Sequence, residues 1–420
     1  MPMGRIHAVN SRIRQQLRGG IACCAWTLIG FLFVGSDAAS QDSAPVLQSS
    51  IAIDPLASNG PPDPRALLDG VPSILRLPPL PGEAESPVIT ALAIASDGRR
   101  IAAAGDDHAI RLVSCQDGSI EGVLFGHGDW VQSMEFSRNG DVLASCAKDG
   151  SIYLWKINPV RSAVSSRDTD SPLPPIASEL AHRMVDHALF TVGFHGDQEL
   201  FAAGFNEAIY HFQIDTLQWK IDRRSECRDI RTIACSHDGK LLAYAGRDGI
   251  IRIEDLQSES ELGRVDLKRT HALAQPAHFD RVRSLAFTHD DSQLVSVGED
   301  RRIVCLDVQS GAILSQLDLS AGKLMALQLL DESLAAVSGS DNTIRIVDIQ
   351  RGRIVSKLVG HDGSIAVLKR TDSYLLSAGF DTTLRKWNIQ QSIHELDRSG
   401  RFIHPVAAQF EDSSAQESIR

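Results

Sequence analysis

The sequence predicts an all-β fold in which seven four-stranded antiparallel sheets stand radially around a common centre. Three observations predict it. A short motif (a small residue, any residue, Asp or Asn, then Ile or Leu three places on) occurs seven times, with Asp107, Asp149, Asn206, Asp248, Asp300, Asp341 and Asp381 as its polar members. The intervals between those members are 42, 57, 42, 52, 41 and 40 residues, and self-similarity at a period of this length marks a stacked or circular array. Between the motifs run short segments rich in β-branched, aromatic and small apolar residues, broken by turn signals and without a helical period.

The elements follow in chain order. Residues 1–40 open with Arg5, Arg12, Arg14 and Arg18, continue through a 15-residue apolar run from Ile21 to Gly35, and end on Ala38-Ala39-Ser40. That is the pattern of a secretory signal peptide, and the run is shorter than the roughly 20 residues of a spanning helix. An exported protein, periplasmic or extracellular, is expected, with no membrane span after signal cleavage. Residues 41–87 hold ten of the 17 prolines, a composition suited to an extended linker. Within it Ile74-Leu75-Arg76-Leu77 alternates as a strand would, placed to pair with the last sheet and close the ring. Residues 88–396 carry the repeats, and 397–420 are a polar tail.

The second repeat can be read in full. Val131 to Phe136 is a short strand, and Arg138-Asn139-Gly140 is a hairpin signal. Val142 to Cys146 is a run of small and apolar residues suited to burial on both faces. Lys148-Asp149-Gly150 turns the chain into Ile152-Tyr153-Leu154-Trp155. Other repeats supply a fourth strand, such as Ile313 to Leu317 or Ile354 to Leu358. Only neighbouring sheets can cover the faces of each sheet, and radial packing removes most edges. The result is a seven-bladed β-propeller. Insertions at about 160–176 and 268–277 account for the two long intervals and read as solvated loops.

Gly126-His127, Ser145, Asp149 and Trp155 resemble the His–Ser–Asp–Trp quartet of the WD-repeat β-propeller family, in the style of exported bacterial members. Gly360-His361, Ser377, Asp381 and Trp387 resemble it equally. The fifth copy keeps His278, Ser296 and Asp300 but has Leu306 in place of Trp. The first, third, fourth and sixth carry Val113, Phe212, Glu254 and Val347 at that position. The resemblance spans about residues 88–396. Hydrogen bonds along the quartet would tie each sheet to its connecting loop, with Asp149 and Asp381 bonded to His127 and His361. Because the set recurs per repeat, it reads as a fastener and not as a hydrolase triad. Asp107, in a copy without His or Trp, is expected to matter less.

The remaining chemistry points away from catalysis. No phosphate loop, zinc motif, nucleophile elbow or paired catalytic carboxylates stand out, so no catalytic residue, metal or cofactor is expected. Cys115, Cys146, Cys227, Cys235 and Cys305 lack paired spacing and read as free thiols. Removing residues 1–40 takes out four Arg and one Asp and leaves 38 basic against 52 acidic residues, a charge of −14. Such a surface repels nucleic acid and anionic membranes. A monomeric, non-enzymatic platform holding a protein or peptide on one rim is expected; the alternative is a propeller-type hydrolase with its site in the central channel. The resemblance implies that partners meet the residue before each turn Asp and the residue three after the repeat histidine. These are Asp106, Lys148, Phe205, Arg247, Glu299 and Phe380, with Trp130 and Arg281.

Overall fold

A computed structural model describes residues 73–158, 176–220, 223–256, 269–272, 277–320, 322–371 and 373–388. The signal-peptide reading, most of the Pro-rich stretch, nearly all of the first insertion, half of the second and the polar tail lie outside these residues. Within them the chain is all-β, and seven antiparallel sheets are formed. Their inner strands are Ile89–Ile94, Val131–Phe136, Leu189–His195, Ile230–Cys235, Val282–Phe287, Leu324–Leu329 and Ile365–Arg370. Each inner strand packs against the inner strands of both neighbours, and the last against the first. The ring is closed by the short strand Ser73–Arg76, which pairs antiparallel with Thr383–Asn388 as the fourth strand of the seventh blade, Leu75 opposite Leu384. The third blade departs from the pattern. Its outer edge is two short pieces, Gln218–Trp219 and Arg223–Arg224, both paired with Ala208–Gln213.

The core lies between the blades. Seven apolar clusters fill the seven interfaces; one joins Leu112 and Ala104 of the first blade to Met134, Leu143 and Trp155 of the second. Another joins Leu92 and Ile101 of the first to Leu376 and Leu384 of the seventh. Second strands such as Arg100–Gly105, Val142–Ala147 and Leu334–Gly339 are buried along their whole length. That explains their runs of Ala and Ser, since a sheet covered on both faces leaves little room for larger side chains. Each Leu or Ile so buried contributes about 1.5–3 kcal/mol. The recurrent glycine two places before the turn Asp has a steric cause. A Cβ at Gly105, Gly204, Gly246, Gly339 or Gly379 would fall on a carbonyl oxygen at the entry to the inner strand.

A further regularity concerns the centre. Every inner strand contains a β-bulge at its second residue, where the pairing register slips by one. A bulge leaves its extra residue out of the ladder and re-aims its side chain. The bulged residues are Thr90, Gln132, Phe190, Arg231, Arg283, Met325 and Ala366, and all seven line a central cavity of about 850 Å³. They stand at the end of the strand next to the turn Asp residues, since Val282 pairs with Gly298 and Ile230 with Gly246.

Candidate functional site

The quartets form buried relays. In the seventh blade the Trp387 indole N–H donates to Ser377 Oγ at 2.8 Å, Ser377 Oγ lies 2.6 Å from His361 Nε2, and His361 Nδ1 lies 2.8 Å from Asp381. In the fifth, His278 bridges Ser296 at 2.8 Å and Asp300 at 3.0 Å. In the second, Trp155 donates to Ser145 at 3.0 Å and Ser145 lies 2.7 Å from His127 Nε2. There the relay differs from expectation: His127 meets Ser151 at 2.5 Å, and it is Ser151 that donates to Asp149. Asp149 also accepts the Gly128 N–H. Thr383 holds the equivalent position in the seventh blade and also donates to its turn Asp, at 2.8 Å, but there the histidine reaches the carboxylate directly. Burial pushes the His127 pKa down to about 4, so the ring is neutral at pH 7. Asp381 is held well below the usual carboxylate range. Burial alone would raise it, but hydrogen bonds from His361 and Thr383 outweigh that.

Blades without a histidine satisfy the turn Asp differently. Arg111 reaches Asp107 at 2.6 Å and Arg252 reaches Asp248 at 2.7 Å, each four residues on. Arg345 does the same for Asp341 through both guanidinium nitrogens. The cation arrives from the third strand instead of the connecting loop. In the fourth blade the quartet is rebuilt: Cys227 brings its thiol 3.8 Å from Asp248, Tyr244 occupies the serine position, and Glu254 the tryptophan position. The Tyr244 hydroxyl donates to Glu254 at 2.5 Å in a buried setting, and burial pushes the Glu254 carboxyl up. In the third blade His187 lies 3.3 Å from Asn206 and 3.2 Å from Tyr210. Arg at Asp plus four is the sequence feature shared by these three blades, since alternate strand residues share a face, and the seventh blade has it beside its histidine, Arg385 lying 3.3 Å from Asp381.

The Ser–His–Asp sets cannot act on substrate. His361 and His127 are 5% and 7% exposed, Ser377 and Ser145 are fully buried, and each serine already accepts an indole N–H. Among the described residues no group of three or more His, Cys, Asp or Glu is placed to hold a metal ion.

The two rim positions of each blade form one pair. The N–H of Lys148 donates to the carbonyl of Trp130, that of Arg247 to Asp229, that of Glu299 to Arg281 and that of Phe380 to Ser364. Residues before the turn Asp are therefore pinned to the entrance of the inner strand. Phe205 is 56% exposed and Phe380 41%. Arg247 is exposed, while Arg281 is partly covered. Trp130 is half-buried, with the Lys148 ammonium 4.0 Å over its ring. Asp106 is not available on this rim. It is buried and its carboxylate accepts the Val88 N–H at 2.9 Å. Glu299 is tied into ion pairs with Lys323, Arg281 and Arg283. The sequence reading missed Phe279, directly after His278, which is 75% exposed beneath the Arg302 guanidinium. No repeat regularity marks that position.

Five segments, residues 77–114, 118–156, 222–253, 269–307 and 352–388, match the model of the WD domain, G-beta repeat, and support a WD-repeat family. Segment 118–156 joins the outer strand of the first blade, Ile120–Leu124, to the three inner strands of the second. The chain is similar to Periodic tryptophan protein 2 of Saccharomyces cerevisiae, 25% identical over 54% of this chain and 25% of that protein. It also resembles WD repeat and HMG-box DNA-binding protein 1 of Xenopus laevis, 23% identical over 47% of this chain and 17% of that one. A probable cytosolic Fe-S cluster assembly factor of Schizosaccharomyces pombe is 29% identical over 36% of this chain and 25% of its own. The chain spans about a quarter or less of the length of these curated relatives. They overturn the expected exported, periplasmic or extracellular localisation, because they are proteins of eukaryotes, one of them named for DNA binding and one for the cytosol. The bacterial style of the resemblance loses its support with it. Among the described residues Cys115, Cys146, Cys227, Cys235 and Cys305 are free thiols, as the sequence led one to expect.

Proposed function

We propose that this chain, a propeller of WD-type repeats, is a non-enzymatic protein-interaction platform that holds a protein or peptide on the rim carrying the turn Asp residues. The observation that carries the reading is the set of exposed aromatics there, Phe205 and Phe380, on backbone pinned to the entrance of the inner strands, and Phe279, whose N–H donates to Asp300 at 2.9 Å. Large apolar groups in solvent, one of them beneath an arginine (Phe279 under Arg302), have the composition of a binding hot spot. Their rigid support lowers the ordering cost of association. We further propose that the platform works as a monomer without a cofactor. A net charge of −11 argues against nucleic acid as its partner.

The test is the triple variant Trp130→Ala, Phe205→Ala, Phe380→Ala, scored for partner capture and for melting temperature. Lost capture with an unchanged melt supports the reading. Retained capture with a lowered melt contradicts it and makes the three residues packing groups.

A further inference from the structure

The ring of bulged residues is unevenly charged. On the fourth and fifth blades it carries Arg231 and Arg283, and Arg281 stands two residues before Arg283 at the entrance to the same strand. Two carboxylates serve this cluster. Asp229 holds Arg231 at 2.6 Å and lies 3.9 Å from Arg281 Nε. Glu299 holds Lys323 at 2.7 Å and lies 3.7 Å from Arg281 and 3.6 Å from Arg283.

The short pairs thus occupy Arg231 and Lys323. The guanidiniums of Arg281 and Arg283 stand beyond hydrogen-bond distance of either carboxylate. Arg281 Nε is buried with no hydrogen-bond partner among the described residues. Four cations against these two carboxylates leave two positive charges, and the nearest further carboxylate, the exposed Asp280, is turned to the Arg281 backbone N–H at 2.8 Å. Lys148, within electrostatic reach of Arg231 and Arg283, is offset by Asp129. Burial pushes the Arg283 pKa down and Arg231 and Arg281 push the same way, against the pull of Glu299. Crowding cations with less than their counter-charge is costly unless an anion joins them. Phe190, the bulged residue of the third blade, lies 3.6 Å from the Arg231 guanidinium and holds it by stacking.

We propose that Arg231, Arg281 and Arg283 form an anion site at the mouth of the channel that takes the phosphorylated side chain of a peptide lying across the rim. The site rests on the rim-platform reading above and gives that platform a partner chemistry. A phosphorylated serine carries about −1.5 to −2 charges at pH 7, which matches the two uncompensated cations. Guanidinium forks bind its oxygens bidentately. A single anionic group can enter a recessed basic spot, whereas a nucleic-acid strand would meet a protein of net charge −11.

The probe is a labelled degenerate peptide pool with one fixed central phosphoserine. It is compared with the same pool carrying serine or glutamate there, by fluorescence anisotropy against the full chain near physiological salt. The phosphoserine pool is expected to bind about tenfold or more tighter than the serine pool, with glutamate between them. Arg283→Gln and Arg281→Gln are each expected to remove most of that preference without changing the melting temperature. Arg281, the more exposed of the two, decides the matter where Arg283→Gln fails to fold. Equal binding of the phosphoserine and serine pools, or a preference that survives Arg281→Gln, overturns the proposal. So does the absence of binding by every pool, or arginine-dependent capture of a single-stranded oligonucleotide in place of the phosphopeptide. Failure of the aromatic rim alone is distinguishable: the Trp130, Phe205, Phe380 variant would then keep both its partner and its phosphoserine preference.

Discussion

Arg111 reaches back four residues along the third strand of the first blade to meet Asp107 at 2.6 Å, in the role that a loop histidine plays directly in the fifth and seventh blades and through Ser151 in the second. The Arg111 side chain is 1% exposed and that of Asp107 7%. A turn Asp recurs in six of the seven blades, and the chain satisfies it by two routes, a histidine relay or a guanidinium from the third strand, the seventh blade using both through His361 and Arg385.

The two routes differ in what is left behind when the carboxylate goes. Asp149→Ala leaves the Gly128 N–H and the Ser151 hydroxyl without an acceptor, a cost of about 1–3 kcal/mol. Asp107→Ala leaves a buried guanidinium uncompensated, a cost of about 3–5 kcal/mol. This reverses the order expected from the sequence, where a copy without His or Trp seemed the less sensitive. Denaturant melts of the two variants check it, and Arg111→Met in the Asp107→Ala background should recover part of the loss.

The His127 relay is acid-sensitive. The His127 pKa is lowered by burial from 6.5 to about 4, so its proton is taken up first by the unfolded chain. The associated stability is complete above pH 6.5 and is lost as pH falls from 6.5 towards 4. His211, also pushed down to about 4 by burial, adds to the same window. Melting temperature is expected to fall across that range, and His127→Asn to flatten part of the fall. Curves of wild type and variant that run parallel from pH 7 to 4 would contradict this.

The Tyr244–Glu254 pair makes a prediction of opposite sign. Burial raises the Glu254 pKa, so the ionised carboxylate is costly in the folded state near neutrality. Its amide isostere, Glu254→Gln, can keep the hydroxyl contact without the charge and should be neutral or stabilising at pH 7. Tyr244→Phe should cost about 1–3 kcal/mol, because it strands a buried acceptor. Thermal melts at pH 7 decide both.

What the sequence made legible was whatever recurs. The seven turn residues from Asp107 to Asp381 lie in seven sheets, because each sits at the same bend between the second and third strands. The rim positions, read from the resemblance, are pairs of hydrogen-bonded neighbours such as Trp130 and Lys148. What stayed hidden does not repeat in residue type. The bulge ring holds Thr, Gln, Phe, Arg, Arg, Met and Ala, and a bulge is a property of pairing register that no side-chain pattern records. Phe279 was hidden for the same reason. The compartment was misread because a basic start followed by an apolar run is a local pattern of composition, independent of the propeller that follows it.

The central claim, that partners dock on the turn-Asp rim, is tested most directly by photocrosslinking. A photoreactive phenylalanine analogue is placed at Phe205 on the rim or at Leu314, exposed on the outer strand of the fifth blade, and each full chain is irradiated in extract. The account predicts a discrete adduct from position 205 that competing unlabelled wild-type chain abolishes, and none from position 314. An adduct from 314 with none from 205 would place the partner on the outer edge and contradict it.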